Sequence, residues 1–404
     1  MSYDFKFVNL LKPWKIINYM SDRKGSINKG NASATASAAK AAAKAAPSSS
    51  AGGKDASDAK NLKQTRRRLS VISDNKLIEG MDAVNLDNGQ AEAEPIAVQP
   101  PSGGFIVNSY GGYSKKGYAP YNPKKKNQDA LVMAEDPKTR SLVLAVLDGH
   151  GEDGDKVAQY IKGKLANYLF KHRDFANDIR AAVSDVVARL EAEVLQDGGV
   201  ETDFSGTTFT ISIIRGNTIV CGNVGDSRTT LGYRNPQTKA ITAINVTIDH
   251  KPDLPAEKAR IEAKGGRVFA VEYEDGVDGP PRVWLGHMDV PGLAMSRSLC
   301  DAVAHTAGVS SEPEFFEMNF NTDGREDLVL IMASDGLWEF MSDQEVVDIA
   351  VATTEPRYAV DKLISEANDR WMREEQVIDD TTVCVAFLGN FNVNVTAPGA
   401  EYKP

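Results

Sequence analysis

Asp148-Gly149-His150-Gly151 closes the apolar run Ser141 to Leu147 (SLVLAVL), and a second apolar run, Asp327 to Ala333 (DLVLIMA), also leads into Asp-Gly, at Asp335-Gly336. A short run rich in Val and Leu and stopped by Gly reads as a buried strand that delivers a side chain at its exposed tip. Alone, Asp-Gly is only a turn signal. Here the arrangement recurs: Asp129 precedes Ala130 to Ala134, Asp226 follows Thr218 to Val224, and Asp379 and Asp380 precede Thr381 to Leu388 (TTVCVAFL). Carboxylates gathered at one place repel; at about 4 Å and an effective dielectric of about 20, each pair costs on the order of 4 kcal/mol. A site built from them calls for divalent cations, and oxygen ligands with no Cys favour Mg²⁺ or Mn²⁺ over Zn²⁺ or Cu²⁺. Two such ions sharing a carboxylate can hold a bridging water and present it as hydroxide for in-line attack on phosphorus. His150, two residues past Asp148, is placed to protonate a leaving oxygen. His172, His250, His287 and His305 lie away from the strand tips in sequence and read as structural or surface residues.

The elements that must carry these residues follow from periodicity. Gly104 to Tyr113 reads as a strand with a Gly-rich end. Lys156 to Phe170 and Ile179 to Leu195 repeat apolar residues every three or four positions, as amphipathic helices do. Their stripes are expected to pack on the outer face of a sheet. Gly216-Asn217, between the β-branched runs Thr207 to Arg215 and Thr218 to Val224, is a hairpin signal. Further strands are expected at Thr229 to Tyr233 and Ala240 to Thr247, and helices at Pro255 to Lys264, Asp343 to Thr353 and Tyr358 to Glu375. Val268 to Gly286 is a Gly/Pro-rich excursion suited to a flap beside a site. Antiparallel strands followed by helices indicate an α+β fold rather than alternating βαβ. DGHGEDGDKVAQ is not an EF-hand loop, since its sixth position is Asp153 and its twelfth Gln159.

Composition sets the frame. The chain has 404 residues, 42% of them hydrophobic, enough for a substantial core. Three separated cysteines (Cys221, Cys300, Cys384) form no CxxC pair, which argues against a disulfide framework and suits a reducing compartment. No secretory signal or membrane-spanning run is evident, so cytoplasm is the expected location, with nucleus the alternative. The formal charge of −10 hides an asymmetry: residues 1 to 78 hold 15 Lys+Arg against 5 Asp+Glu, and the remainder 31 against 51. A body this acidic, without a basic stripe, is not expected to bind nucleic acid.

Residues 1 to 102 read as a basic, low-complexity and mostly disordered tail. Its amphipathic start, residues 1 to 20, is interrupted by Pro13; docking on protein or disorder is expected there, with membrane contact the lesser alternative. Arg66-Arg67-Arg68-Leu69-Ser70 resembles the target of a basophilic kinase, which makes Ser70 a candidate phosphorylation site. The folded body is expected over 103 to 390, followed by a tail over 391 to 404, and the protein is expected to be a monomer.

NQD at 127 to 129, DGHG at 148 to 151, SGTT at 205 to 208, GDSR at 225 to 228, DHKP at 249 to 252, LAMSRSLCD at 293 to 301, ASDGLWE at 333 to 339 and DDTTV at 379 to 383 occur in order. Together they resemble the motifs of the protein phosphatase 2C family, metal-dependent serine/threonine phosphatases, over roughly residues 104 to 389. The resemblance implies two packed antiparallel sheets flanked by helices, an α-β-β-α sandwich. It implies two Mg or Mn ions, with Asp148 bridging them, the Gly149 carbonyl on one, Asp335 and Asp379 completing the other, and Gln128 and Asp129 acting through water. Asp226, with Glu339, would match a third, weaker metal position, and phosphoproteins would be the substrates. Lys124 stands where many members place a phosphate-binding Arg, and a point charge replaces a bidentate fork there. Cys300 stands where members carry Gly, and Gln128 replaces Glu. No direct metal ligand is missing, so an active enzyme is expected; the alternative is a pseudophosphatase or phosphoprotein-binding scaffold.

Overall fold

The strand Ser141–Leu147 is buried along its whole length, and its alternate residues face two different cores. That single strand explains the layering. In the computed structural model, which describes residues 97–99, 106–273 and 276–389, the chain runs β1 (Ala97–Gln99), β2 (Val107–Lys115), β3 (Ala130–Asp136), β4 (Ser141–Leu147) and β5 (Gly149–His150). Helices α1 (Gly154–Lys171) and α2 (Ile179–Gln196) follow. Then come β6 (Gly206–Thr207), β7 (Phe209–Arg215), β8 (Thr218–Val224), β9 (Arg228–Arg234), β10 (Ile241–Asn245) and α3 (Pro255–Ala263). The excursion comprises β11 (Arg267–Tyr273), β12 (Gly276–Leu285) and β13 (Met288–Leu293), and leads to β14 (Leu299–Cys300), α4 (Ala302–Thr306) and β15 (Glu314–Asn319). The chain closes with β16 (Glu326–Ala333), α5 (Asp335–Trp338), α6 (Asp343–Val351), α7 (Pro356–Glu374) and β17 (Thr381–Leu388).

Two antiparallel sheets stack. One has the order β1-β2-β17-β16-β9-β10 and the other β15-β8-β7-β4-β3. Leu142, Leu144 and Val146 of β4 meet Leu330 and Met332 of β16 and Cys384 and Ala386 of β17 in the core between the sheets. Val143, Ala145 and Leu147 point the other way, onto Val157, Ile161 and Leu165 of α1 and Val183, Val186 and Leu190 of α2. On the opposite side, Val329, Ile331 and Ala333 of β16 pack against Val346 and Val347 of α6 and Val360 and Leu363 of α7. Strands buried on both faces read as continuous apolar runs, which is why SLVLAVL and DLVLIMA carry no polar alternation. The result is the α+β, α-β-β-α sandwich.

The hairpin turns at Gly216, whose φ of 59° a side chain would oppose. Val268 to Gly286 is more ordered than a loop: β11, β12 and β13 form a three-stranded sheet of their own. Ala97–Gln99, inside the stretch read as tail, pairs with β2. The three cysteines are buried free thiols. No described helix is long and apolar enough to cross a membrane. The amphipathic start, Ser70 and residues 391 to 404 lie outside the described residues.

Candidate active site

Each sheet contributes strand ends to one region between them. Asp148 leaves β4 and is locked by a reciprocal pair of hydrogen bonds with Thr208, its N–H donating to Thr208 Oγ1 (3.0 Å) and its carbonyl accepting from Thr208 N–H (2.9 Å). This gives SGTT its place. Gly149 N–H donates to the Gln128 carbonyl (3.2 Å), and Gln128 Nε2 donates to the Gly151 carbonyl (2.8 Å), so NQD and DGHG are stitched together. A Cβ on Gly149 would lie 2.4 Å from the Gly154 carbonyl oxygen and 2.5 Å from that of Gln128. Glycine is required here by close backbone approach rather than by its own torsion angles.

Asp129 is 2% exposed and accepts a hydrogen bond from Ser334 Oγ (2.8 Å), which in turn accepts from Thr382 N–H (3.0 Å). One serine thereby joins the segments bearing Asp129, Asp335 and Asp379. Burial, then the charges of Asp129, Asp335, Asp379 and Asp226 in that order, hold the Asp148 carboxyl well above the ordinary carboxylate range. Burial and the charges of Asp226 and Asp379 do the same for Asp335. Burial and Asp380 push Asp129 up to about 7. The five strand-tip acids, far apart in sequence, therefore share one electrostatic field, and Glu339 adds to it at Asp335.

The residues fit a hard divalent cation. Asp129 Oδ1 and Asp226 Oδ1 are buried with no hydrogen-bond donor, the donor set is all oxygen, and buried like charges need compensation. Among the described residues no three such side chains close into a coordination shell by themselves, as expected of carboxylates that repel one another.

His150 lies in the same field. Its Nε2 is 2.6 Å from Asp301 Oδ2, while its Nδ1 is buried with no partner. Burial works against a charged ring, but the Asp301 carboxylate, its hydrogen bond and the charges of Asp226 and Asp335 outweigh it, so the imidazole pKa is raised. Asp301 closes the motif LAMSRSLCD, yet it lies 151 positions from His150, and no spacing rule links them.

Lys124 is exposed and makes no ion pair among the described residues. Its neighbour Lys125 turns inward instead, with Nζ 2.6 Å from Asp380 Oδ2 and 3.6 Å from Asp379 Oδ1. Lys126 pairs with Asp155. Asp380 was not foreseen as a site residue. It is 4% exposed and also accepts from the N–H groups of Gly117 (2.7 Å) and Gln128 (2.9 Å), so it fixes the loop that carries the lysines. Its place directly after Asp379 was the available signal. His250, read as remote, is indeed structural, but it abuts the site: Gly225 N–H donates to its Nδ1 (3.1 Å) one residue before Asp226.

Known proteins resemble this chain in sequence and in fold. The family model for protein phosphatase 2C matches residues 122–375. A probable protein phosphatase 2C of rice is 33% identical over 281 residues, covering 67% of this chain and 64% of its own length. Another from Arabidopsis thaliana is 35% identical over 302 residues, covering 68% of this chain and 78% of its own. The crystal structure of a serine-threonine phosphatase 2C from Toxoplasma gondii superposes with a TM-score of 0.61 at 21% identity, covering 73% of this chain and 98% of that one. Fold, motifs and relatives define the class, a protein serine/threonine phosphatase. Within that class the chain belongs to the protein phosphatase 2C family.

Proposed function

We propose that this phosphatase hydrolyses phosphoserine and phosphothreonine in proteins with two Mg or Mn ions held by Asp148, Asp335, Asp379 and the Gly149 carbonyl, with Gln128 and Asp129 acting through water. The observation that carries the reading is the shared field at Asp148 of acids from four distant strand ends. Bound divalent ions would neutralise that field and supply a water acidic enough to attack phosphorus at neutral pH. His150, fixed by Asp301, offers Nδ1 for proton donation to the departing serine or threonine oxygen. Lys124 is the exposed cation of the 124–126 run without a carboxylate partner among the described residues, which supports its role toward substrate phosphate. Ser70 phosphorylation belongs to the same proposal as an input from a basophilic kinase, and mass spectrometry across growth conditions reads it directly. Cytoplasm or nucleus is the proposed location.

The decisive test is Asp335→Asn. Manganese-dependent phosphate release from a phosphopeptide should be lost while the circular dichroism spectrum is retained. Undiminished release would overturn the site assignment. An inactive wild-type protein that still captures phosphoproteins would favour the scaffold reading instead.

A further inference from the structure

Along α2, Val183, Val187, Leu190 and Val194 form the stripe that faces the core, and Glu191 falls on the same stripe, four residues after Val187 and three before Val194. A half-buried carboxylate there needs partners. Its Oε1 accepts from the Cys300 N–H (2.9 Å) and its Oε2 from Ser311 Oγ (2.6 Å). Glu191 thus reaches the residue just before Asp301, and Asp301 is what holds the His150 ring. Cys300 pairs with Gly206, and Gly206 with His150, across the short sheet β14-β6-β5, so the three lie at one level. The φ angles of Cys300 and Asp301, 69° and 43°, make a turn that L residues resist. Two successive N–H groups pin that turn, the one of Cys300 on Glu191 and the one of Asp301 on the Ser205 carbonyl (3.1 Å).

We propose that Glu191 is a positioning residue for the proton donor: by holding the Cys300 N–H it keeps the left-handed turn that aims Asp301 at His150 Nε2. The inference rests on the reading of His150 as the acid above. Asp301 packs directly on Gly206, where a Cβ would lie 2.3 Å from Oδ2, so its carboxylate cannot shift far without leaving the ring or meeting that backbone. Without Glu191 the Cys300 N–H loses its acceptor, and the turn is free to relax toward negative φ. That would swing Asp301 off Nε2 and leave the ring to present Nδ1 poorly to the leaving oxygen. A leaving group that needs no proton would not feel the change.

The test compares kcat on a phosphoserine peptide and on p-nitrophenyl phosphate, with saturating Mn²⁺ and full-length protein whose fold is checked by thermal melting. Glu191→Met keeps the length and removes the acceptor, while Glu191→Ala removes both; whichever folds carries the comparison. Each should slow the peptide about tenfold, a fraction of what a general acid contributes, and p-nitrophenyl phosphate by less than about twofold. Glu191→Gln, whose amide oxygen still accepts from the Cys300 N–H, should recover most of the peptide rate. In a His150→Ala background the same substitutions should slow the peptide no further, because they act through the ring. An unchanged peptide rate, equal losses on both substrates, no recovery in Glu191→Gln, a full additional loss in the His150→Ala background, or unfolding of both Glu191→Met and Glu191→Ala would overturn the role of Glu191 while leaving His150 as the acid. Should His150→Ala itself slow both substrates alike, the acid reading falls and this one with it.

Discussion

His150 is gripped from one side only, by Asp301 at Nε2, and the grip is strained: Cys300 and Asp301 both sit in the left-handed region, at φ of 69° and 43°. Each such residue costs about 1–2 kcal/mol, a cost that a glycine at position 300 would avoid. If the ring donates a proton to the leaving oxygen, His150→Ala should slow hydrolysis of a phosphoserine peptide by roughly 10²–10⁴-fold. It should slow p-nitrophenyl phosphate far less, because that leaving group departs without a proton. Asp301→Asn should show the same substrate-dependent pattern more weakly. So should Gly206→Ala, whose Cβ would fall 2.3 Å from Asp301 Oδ2. Equal losses on both substrates would remove His150 as the acid. At this scale the sequence shows the acids well, because each follows or precedes an apolar run. It does not show Asp301, Lys125 or Glu191 as partners, since those contacts join residues that only the folded chain brings together.

Helix α3 depends on one buried acid. Glu257, 5% exposed, accepts from Arg260 Nη1 (2.6 Å), Ser296 Oγ (2.6 Å) and Arg297 Nη2 (2.9 Å), tying α3 to the segment that leads to Asp301. Burial alone would raise its pKa, but the hydrogen bonds from Arg297, Arg260 and Ser296 win and lower it to about 2. A carboxylate depressed in the folded state stabilises it fully above the ordinary value near 4.5 and ceases to do so as pH falls through about 2. Glu257→Gln should therefore cost on the order of 2 kcal/mol in urea unfolding at pH 7, with the gap to wild type closing between about pH 4.5 and pH 2. A constant gap would reject the account. Most elements were legible because their periods are clean, β4 and β17 down to their end residues. β15 was not: EFFEMN lies at the sheet edge with every residue partly or fully exposed, so it lacks the burial contrast that marks a strand. α5, four residues long, is too short to show a period.

Across the whole molecule, the site is a store of unfavourable charge that cations would relieve. A ligand at about 100 times its dissociation constant stabilises by about 2.7 kcal/mol, or roughly 4–5 °C in a domain of this size. Mn²⁺ should raise the melting temperature by about that much, and a chelator should reverse it. Asp335→Asn should not respond in this way and, lacking one of the repelling charges, should melt above the metal-free wild type. A metal-free variant no more stable than wild type would show that the repulsion is already relieved elsewhere. The layered fold was readable from two apolar runs that end in the same dipeptide; the pairing of β17 with β2 was not, because strand order is set by long-range closure.

That pairing has a meaning in time. β17 lies inside its sheet, between β2 and β16, and Asp379 and Asp380 stand at its entrance. A ribosome delivers these residues after nearly all the rest of the catalytic body. Until they emerge, the place between β2 and β16 is unfilled, Lys125 lacks its two ion-pair partners Asp379 and Asp380, and the acid cluster is incomplete. On the proposed assignment, a chain cut before Asp379 should release no phosphate from a phosphopeptide, and activity should require the last strand.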